Sequence, residues 1–204
     1  MTRCDTLQMR EAELNQSKSW TEAEYLALGE TENRIELIDG GLRVSPHAHY
    51  FHQRISQFLL KNLEAAADTV DLLTTGPHDV RLGPDRIVIP DLIIAERPVV
   101  GPVADAADVV LVMEITSPGN ASYDRVDKKR YYAEADIAWY LLVEPDMSDY
   151  KSVALHLCRL AGDRYIDHAT AKNGETLVSN DPFPVEINTE ELVRYVQRPG
   201  RGPR

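Results

Sequence analysis

The chain has 204 residues, of which 43% are apolar and 27% are charged, as is usual for one soluble globular domain. Its formal net charge of −11 counts against a protein that coats nucleic acid, because binding to phosphates requires a positive surface. The charge does not exclude a nuclease, since a metal site built from carboxylates is itself acidic and the bound cation reverses the local sign.

The sequence contains no run of eighteen apolar residues and no apolar stretch near its N-terminus, so we expect no membrane partner and no secretory signal. Its two cysteines, Cys4 and Cys158, are far apart and lack the spacing of a metal site. We interpret them as free thiols of a cytoplasmic protein.

Three segments are predicted along the chain. Residues 1–18 are polar without a sustained apolar period, which indicates a flexible N-terminal segment. Residues 19–197 form a single domain, and residues 198–204 form a flexible basic tail.

The first predicted elements are a short helix, a β-hairpin and a long helix. Thr21 and Glu24, three positions apart, are typical of a capping box at the start of a helix. Residues 34–39 and 42–45 alternate apolar and polar around two glycines, which predicts a hairpin. Residues 48–67 carry apolar side chains at helical spacing and predict a long helix.

The middle of the chain alternates strands with one helix. Short apolar or alternating runs predict strands at 70–74, 78–82 and 87–95. The most apolar stretch, 108–116, is typical of a strand buried on both faces. A helix at about 121–135 and a buried strand at 138–143 follow it, and such a unit predicts a parallel strand pair with a right-handed crossover.

The last third is expected to be mostly antiparallel. Strands are predicted at 151–160 and 164–169 and near Val185, and a closing helix runs from about Thr189 to 196. The fold class is therefore α/β in the wide sense, an α+β mixed sheet flanked by helices with added antiparallel strands.

Two carboxylates interrupt apolar strands. Glu114 lies within the most apolar strand, where burial is costly unless the charge has a partner. Asp91 interrupts the run 87–95 directly after Pro90. Two carboxylates on neighbouring strands can hold a hard divalent cation such as Mg²⁺ or Mn²⁺, and the backbone carbonyl of Ile115 could add a third ligand.

Lys128 lies on the helix that follows the Glu114 strand. Asp124, Lys128 and Tyr132 are spaced at i, i+4 and i+8 and so share one helical face. A helix beside the sheet could direct the Lys128 ammonium towards the metal, where it would position the attacking water and stabilise the charged transition state.

These pieces stand in an order that resembles the Uma2-type family (DUF820) of the PD-(D/E)xK nuclease superfamily. The resemblance covers roughly residues 19–146, and its individual pieces are Arg34-Ile-Glu-Leu-Ile-Asp-Gly40, His52-Gln53, Pro90-Asp91, Glu114-Ile-Thr-Ser-Pro118, Asp124 with Lys128 and Tyr132, and Trp139-Tyr-Leu-Leu-Val-Glu-Pro145.

The resemblance implies a restriction-endonuclease-like core and metal-dependent hydrolysis of phosphodiesters. It implies that Asp91 and Glu114 bind the metal, that Lys128 is the catalytic lysine and that Glu36 is an auxiliary carboxylate. The usual E-x-K motif would place its lysine at position 116, which is Thr116 here, so the lysine is displaced onto the following helix.

A simpler interpretation stands beside each of these roles. Glu114 and Lys128 could form a buried ion pair that remains in an inactive site, and Asp91 could cap a turn. Glu36 could lie on the exposed face of the hairpin. A nuclease-like fold without hydrolysis, acting as a nucleic-acid or protein binding module, is therefore the first alternative function.

Three histidines, His47, His49 and His52, lie at the start of the long helix. Such a cluster could bind zinc, and a zinc-dependent hydrolase is the second alternative function. We favour surface positions for His47 and His49, whereas His52 lies further into the helix and could face the active site and assist proton transfer.

The function expected from the sequence is a metal-dependent endonuclease that uses Mg²⁺ or Mn²⁺ and acts on nucleic acid, with DNA as the expected substrate. A homodimer is possible because cleavage of two strands requires two sites.

Overall fold

The structure is a computed structural model and describes residues 19–29, 31, 33–45, 48–117 and 123–198. The predicted flexible N-terminal segment lies outside the described residues, as does the predicted tail apart from Arg198. No helix in the described part of the chain is long and apolar enough to cross a membrane.

Helices are fewer than strands in the described residues. The α-helices are α1 (Glu22–Leu26), α2 (Tyr50–Ala67), α3 (Lys129–Glu134) and α4 (Thr189–Val196). A π-helix, Tyr123–Lys128, runs directly into α3, and 3-10 turns occur at Asp68–Val70 and Ala106–Asp108. The predicted capping box is present at α1, where Thr21 accepts from the backbone of Glu24 and the Glu24 side chain accepts from the backbone of Thr21.

The strands fall into two mixed sheets and one separate hairpin. Their bounds are β1 (Arg34–Ile38), β2 (Gly41–Ser45), β3 (Leu73–Thr75), β4 (Asp79–Gly83), β5 (Arg86–Val88), β6 (Leu92–Ala95), β7 (Val103–Asp105), β8 (Val109–Ile115), β9 (Trp139–Pro145), β10 (Val153–Ala161), β11 (Arg164–Ala171), β12 (Thr176–Ser179) and β13 (Val185–Asn188).

The mixed α+β class expected from the sequence is confirmed, but the expected single sheet is divided. One sheet has the order β2-β1-β5-β4-β7, a second has the order β11-β10-β9-β8-β6-β3, and β12 pairs with β13. As predicted from the strand–helix–strand unit, β8 and β9 are parallel neighbours.

The division falls inside the apolar run that was expected to be one strand. β5 belongs to the first sheet, and β6 belongs to the second. Pro90 lies between them and has no backbone N–H for a ladder, so pairing is interrupted there. The chain therefore passes from one sheet to the other immediately before Asp91.

Both faces of the second sheet are covered. On one face, helix α2 buries Ile55, Leu59 and Leu63, which recur every four residues and so form one stripe of the helix. On the other face, α3 contributes Tyr132 and Ala133 to a separate apolar cluster. Strand β8 lies between these layers, which explains its nearly continuous apolar sequence.

Some short elements differ from the expectation. The strand predicted at 70–74 begins as a 3-10 turn and pairs only over Leu73–Thr75. Strands β7 and β12, of three and four residues, were not predicted, because segments this short contain too few residues to establish an alternating pattern.

Candidate active site

Strand β1 directs two charged side chains to one face and two apolar side chains to the other. Ile35 and Leu37 join a small apolar cluster. Because successive side chains alternate across a strand, Arg34 and Glu36 share the opposite face. Glu36 is only 1% exposed, so the alternative that it lies on an exposed hairpin face is wrong.

Asp91 lies level with the end of strand β8. Its amide donates to the carbonyl of Met113 at 3.0 Å, and its Oδ2 accepts from the amide of Ile115 at 2.8 Å. The residue is 2% exposed. Asp91 thus bonds the backbone on both sides of Glu114, as expected for a carboxylate on a neighbouring strand.

Glu114 is buried near the end of β8 and is 2% exposed. Its Oε1 lies 2.9 Å from Nζ of Lys128 and accepts from the hydroxyl of Tyr132 at 2.5 Å. Lys128 and Tyr132 are four positions apart and therefore lie on one face of the helical segment. The desolvation cost of this carboxylate is offset by charge and hydrogen bonding from that face.

Lys128 is the last residue of the π-helix and is 3% exposed. Its Nζ lies 2.8 Å from Oε1 of Glu36 as well as 2.9 Å from Glu114, and it donates to the carbonyl of Ile89 at 3.4 Å. Lys128 therefore does not face solvent. The displaced lysine joins the carboxylates of two different sheets.

Arg34 approaches the same centre from β1. Its Nη1 lies 2.7 Å from Oδ1 of Asp91. Burial disfavours the charged guanidinium, but the carboxylates of Asp91, Glu114 and Glu36 outweigh it and raise the pKa of Arg34. All three carboxylates therefore act on this one side chain.

His52 faces the site from helix α2, as the sequence suggested. Its Nε2 lies 3.2 Å from Oδ2 of Asp91. Burial alone would lower the pKa of His52, but the hydrogen bond and the charge of Asp91 raise it, as does a hydrogen bond to the backbone of Ile115. The ring consequently favours its protonated form more than a free histidine does.

The neighbours of the carboxylates fix the protonation of two groups. Burial would raise the pKa of Asp91, but the charge of Arg34 and the hydrogen bond from His52 lower it well below its usual range. Burial and the charge of Glu114 raise the pKa of Tyr132. Asp91 is thus a carboxylate and Tyr132 a neutral phenol at neutral pH.

The donor chemistry of the centre fits a hard divalent cation, because Asp91 and Glu114 supply carboxylate oxygens. Among the described residues, no three His, Cys, Asp or Glu side chains form a group that could hold a metal ion. Instead Asp91 is bonded by Arg34 and His52, and the backbone of Ile115, proposed as a third ligand, is bonded by His52. A cation at Asp91 would have to compete with these contacts.

The described histidines of the predicted zinc cluster contact different partners. His49 caps α2 through a hydrogen bond from the amide of Phe51 at 3.4 Å, and its ring stacks against Tyr150. His52 contacts Asp91 instead. His47 lies outside the described residues, as does the side chain of Asp124.

Sequence reasoning did not include Arg34 and Tyr132 among the site residues. Spacing places each on the same face as a predicted site residue, since Arg34 is two positions before Glu36 on a strand and Tyr132 is four positions after Lys128 on a helix, but no sequence signal marks the face of Arg34 and Glu36 as buried. Thr116, at the usual lysine position, is buried and donates from its amide to the carbonyl of Val143 at 2.9 Å.

Comparison with known proteins agrees with this architecture. A family model described as "Uma2: Putative restriction endonuclease" matches residues 22–192. The fold is similar to a crystal structure described as a "putative nuclease belonging to DUF820" from Anabaena variabilis, with a TM-score of 0.67 and 17% sequence identity, covering 87% of this chain and 99% of that chain. A search of curated proteins finds no match.

Proposed function

Because the chain belongs to the Uma2 family of restriction-endonuclease-like proteins, we propose that it is a metal-dependent nuclease whose centre is formed by Asp91, Glu114, Glu36 and Lys128. The proposed reaction is hydrolysis of a phosphodiester in nucleic acid, with DNA as the expected substrate and Mg²⁺ or Mn²⁺ as the cofactor.

One observation carries the proposal: two buried glutamates share one buried lysine, and a third buried carboxylate, Asp91, acts together with both of them on Arg34. Glu36 comes from β1, Glu114 from β8 and Lys128 from the π-helix, and Lys128 contacts both glutamates. Burying this many charges costs stability. A fold that needs only stability gains little from such a cluster, whereas perturbed buried charges are common at catalytic sites.

Asp91 and Glu114 would hold the metal, with the carbonyl of Ile115 as a third donor. When bound, a divalent cation polarises a phosphoryl oxygen and lowers the pKa of a coordinated water. Support comes from the contact of Asp91 with the amide of Ile115, the residue that follows Glu114 on β8.

The chain's own cations would act on the substrate. The Lys128 ammonium is held between Glu36 and Glu114, so its charge is fixed in position before substrate arrives. Such preorganised charge stabilises the negative charge that develops on phosphate oxygens at little reorganisation cost. Arg34 would bind a phosphate oxygen, because a guanidinium matches phosphate geometry.

Cleavage assays test the proposal directly. Purified protein is incubated with labelled single-stranded and double-stranded DNA and with RNA, in Mg²⁺, in Mn²⁺ and in EDTA. We expect cleavage with a divalent cation and none with EDTA. Lys128→Met should abolish it, whereas Lys129→Met, displaced by about 100° around the helix, should retain it.

Two outcomes would contradict the proposal. Equal cleavage by the wild type and Lys128→Met would indicate a contaminating nuclease or another site. An absence of cleavage on every substrate, with folded protein and with Mn²⁺ present, would remove the hydrolytic function.

A second candidate is a nuclease-like binding module that does not hydrolyse its ligand. Arg34 and His52 both contact Asp91, and their charges can offset that of its carboxylate, which favours this candidate. A binding module would cleave no nucleic acid. Its affinity for nucleic acid would be the same in EDTA and in Mn²⁺, and Arg34→Met would lower that affinity.

A further inference from the structure

A cavity of about 510 Å³ adjoins the carboxylate centre. Two of its lining residues connect it to that centre. Arg34 bonds Asp91 through Nη1. The backbone of Ile89 donates to Glu36 and accepts from Lys128. The volume lies within the roughly 300–1,000 Å³ that is typical of small-molecule pockets.

The cavity has polar groups that lack partners. Nε and Nη2 of Arg34 are buried without a hydrogen-bond partner, and so is Nε2 of His78. Both residues line the cavity. Nε and Nη2 form one edge of the guanidinium, the edge that binds an anion with two parallel hydrogen bonds. Because buried donors are normally satisfied, this edge of the guanidinium is suited to an anion that reaches it from the cavity.

The rest of the wall is suited to a flat organic group. Leu28, Pro77 and Pro102 provide apolar surface. On the same wall Asp79 accepts a hydrogen bond from the hydroxyl of Tyr25 at 2.9 Å, so a carboxylate is available for amino or hydroxyl donors. Phosphate alone would leave the apolar wall uncovered, and an apolar ligand would leave Arg34 and His78 unsatisfied.

We propose that this cavity binds one unpaired nucleotide next to the phosphodiester that is cleaved, with the phosphate on Arg34 and the base against Leu28, Pro77 and Pro102. The proposal rests on the proposed function and specifies its substrate as single-stranded nucleic acid or a strand with an unpaired segment. A base in a duplex is stacked and paired, so entering a concave pocket costs unstacking energy that an unpaired nucleotide does not incur. The chain's acidic charge also disfavours a long duplex track.

Binding of a mononucleotide tests the pocket without requiring cleavage. Deoxyadenosine monophosphate, deoxyadenosine and inorganic phosphate are titrated separately into the full chain in EDTA, and affinity is measured by calorimetry. We expect the mononucleotide to bind at least about tenfold more tightly than either fragment, since the charge-assisted hydrogen bonds and the apolar contact act together.

Two variants at exposed loop positions provide a matched pair. Pro102→Trp introduces bulk at the cavity wall and should weaken mononucleotide binding by about tenfold or more. Val100→Trp adds the same side chain at a position that is 92% exposed and does not line the cavity, so it should leave binding unchanged. Arg34→Lys keeps the charge but removes the two-pronged edge, and it should weaken the mononucleotide and not the nucleoside.

The pocket and the proposed function can fail separately. If the wild type cleaves single strands, Lys128→Met does not, and Pro102→Trp cleaves like the wild type, the nucleotide pocket is wrong and the nuclease proposal stands. If nothing is cleaved but the mononucleotide binds and Pro102→Trp abolishes that binding, the pocket stands and hydrolysis is wrong. Mononucleotide binding no tighter than that of inorganic phosphate overturns the pocket.

Discussion

Nζ of Lys128 lies 2.9 Å from Oε1 of Glu114, although the two residues are 14 positions apart. Both side chains are almost fully buried. Because a second carboxylate, Glu36, contacts the same ammonium, the lysine serves as the shared counter-charge of two strands in different sheets.

Substitution of Lys128 should therefore affect stability as well as cleavage. Removing one partner of a buried ion pair costs about 3–5 kcal/mol, because it leaves an uncompensated buried charge. We expect Lys128→Met to lower the free energy of unfolding by this amount in urea titrations. Lys129→Met, whose amine contacts Cys158 at 3.7 Å, should cost far less.

A double variant separates the structural role of Lys128 from the catalytic one. Lys128→Met combined with Glu114→Gln removes both charges of the pair, so the two losses should be non-additive by roughly 0.5–3 kcal/mol. The double variant should be more stable than the sum of the two single losses predicts, while cleavage remains absent. Simple addition of the two losses would show that Lys128 and Glu114 do not interact in solution.

Tyr132→Phe tests the hydroxyl that donates to Glu114. The change removes one hydrogen bond to a buried charged group, which is worth about 1.5–3 kcal/mol, and cleavage should fall because Glu114 loses a fixed partner. Tyr165→Phe is the matched control, since that hydroxyl is buried and donates to the neutral carbonyl of Ile137. It should cost only about 0.5–1.5 kcal/mol and leave cleavage unchanged.

The outcome of this pair is measured by chemical denaturation and by initial cleavage rate. If Tyr165→Phe lowers the cleavage rate as much as Tyr132→Phe does, the effect reflects general destabilisation and not the contact with Glu114.

The parallel pairing of β8 and β9 could be predicted because each strand has a local signature. Each is an apolar run buried on both faces, with a helix between them. The division of the run 87–95 between two sheets could not be predicted in the same way. Its residues on both sides of Pro90 are similarly apolar, and which neighbours a strand pairs with depends on parts of the chain distant in sequence.

Residues of the candidate site could be predicted where a charged residue interrupts an apolar run of the sequence. Asp91 and Glu114 stand out on that ground. Arg34 and Glu36 do not, because polar residues in an alternating hairpin normally face water. Only the packing of Lys128 and Asp91 against that face makes it buried, and such packing between distant segments leaves no periodic signal in the sequence.

Cys158 should react slowly with alkylating reagents in the native protein. Burial, together with the contact to Asp167, raises the pKa of its thiol to about 11 despite the opposing charge of Lys129. At pH 8 its thiolate fraction should be roughly two orders of magnitude below that of an unfolded cysteine with a pKa of about 8.5.

The measurement uses iodoacetamide and mass spectrometry on a Cys4→Ser variant, in which Cys158 is the single cysteine. We expect slow modification in buffer and rapid modification in urea. Equal rates in the two conditions would mean that Cys158 is not protected by the fold.

Metal binding provides the most direct test of Asp91. A cation that binds only the folded state stabilises it by RT ln(1 + [L]/Kd), which is about 2.7 kcal/mol at one hundred times Kd. We expect Mn²⁺ to raise the melting temperature of the wild type, and EDTA to reverse the rise. The shift should vanish in Asp91→Asn and in Glu114→Gln.

Asp79→Asn is the control for this measurement, because Asp79 is a partly buried carboxylate that bonds Tyr25 and has no proposed part in holding the metal. It should retain the full Mn²⁺ shift. The rise in melting temperature is compared within each variant, with and without Mn²⁺, so that the intrinsic destabilisation of each substitution cancels. An undiminished shift in Asp91→Asn would place the cation elsewhere. A shift lost only in Asp91→Asn and Glu114→Gln would place the cation at these two carboxylates, where it shares Asp91 with Arg34 and the amide of Ile115.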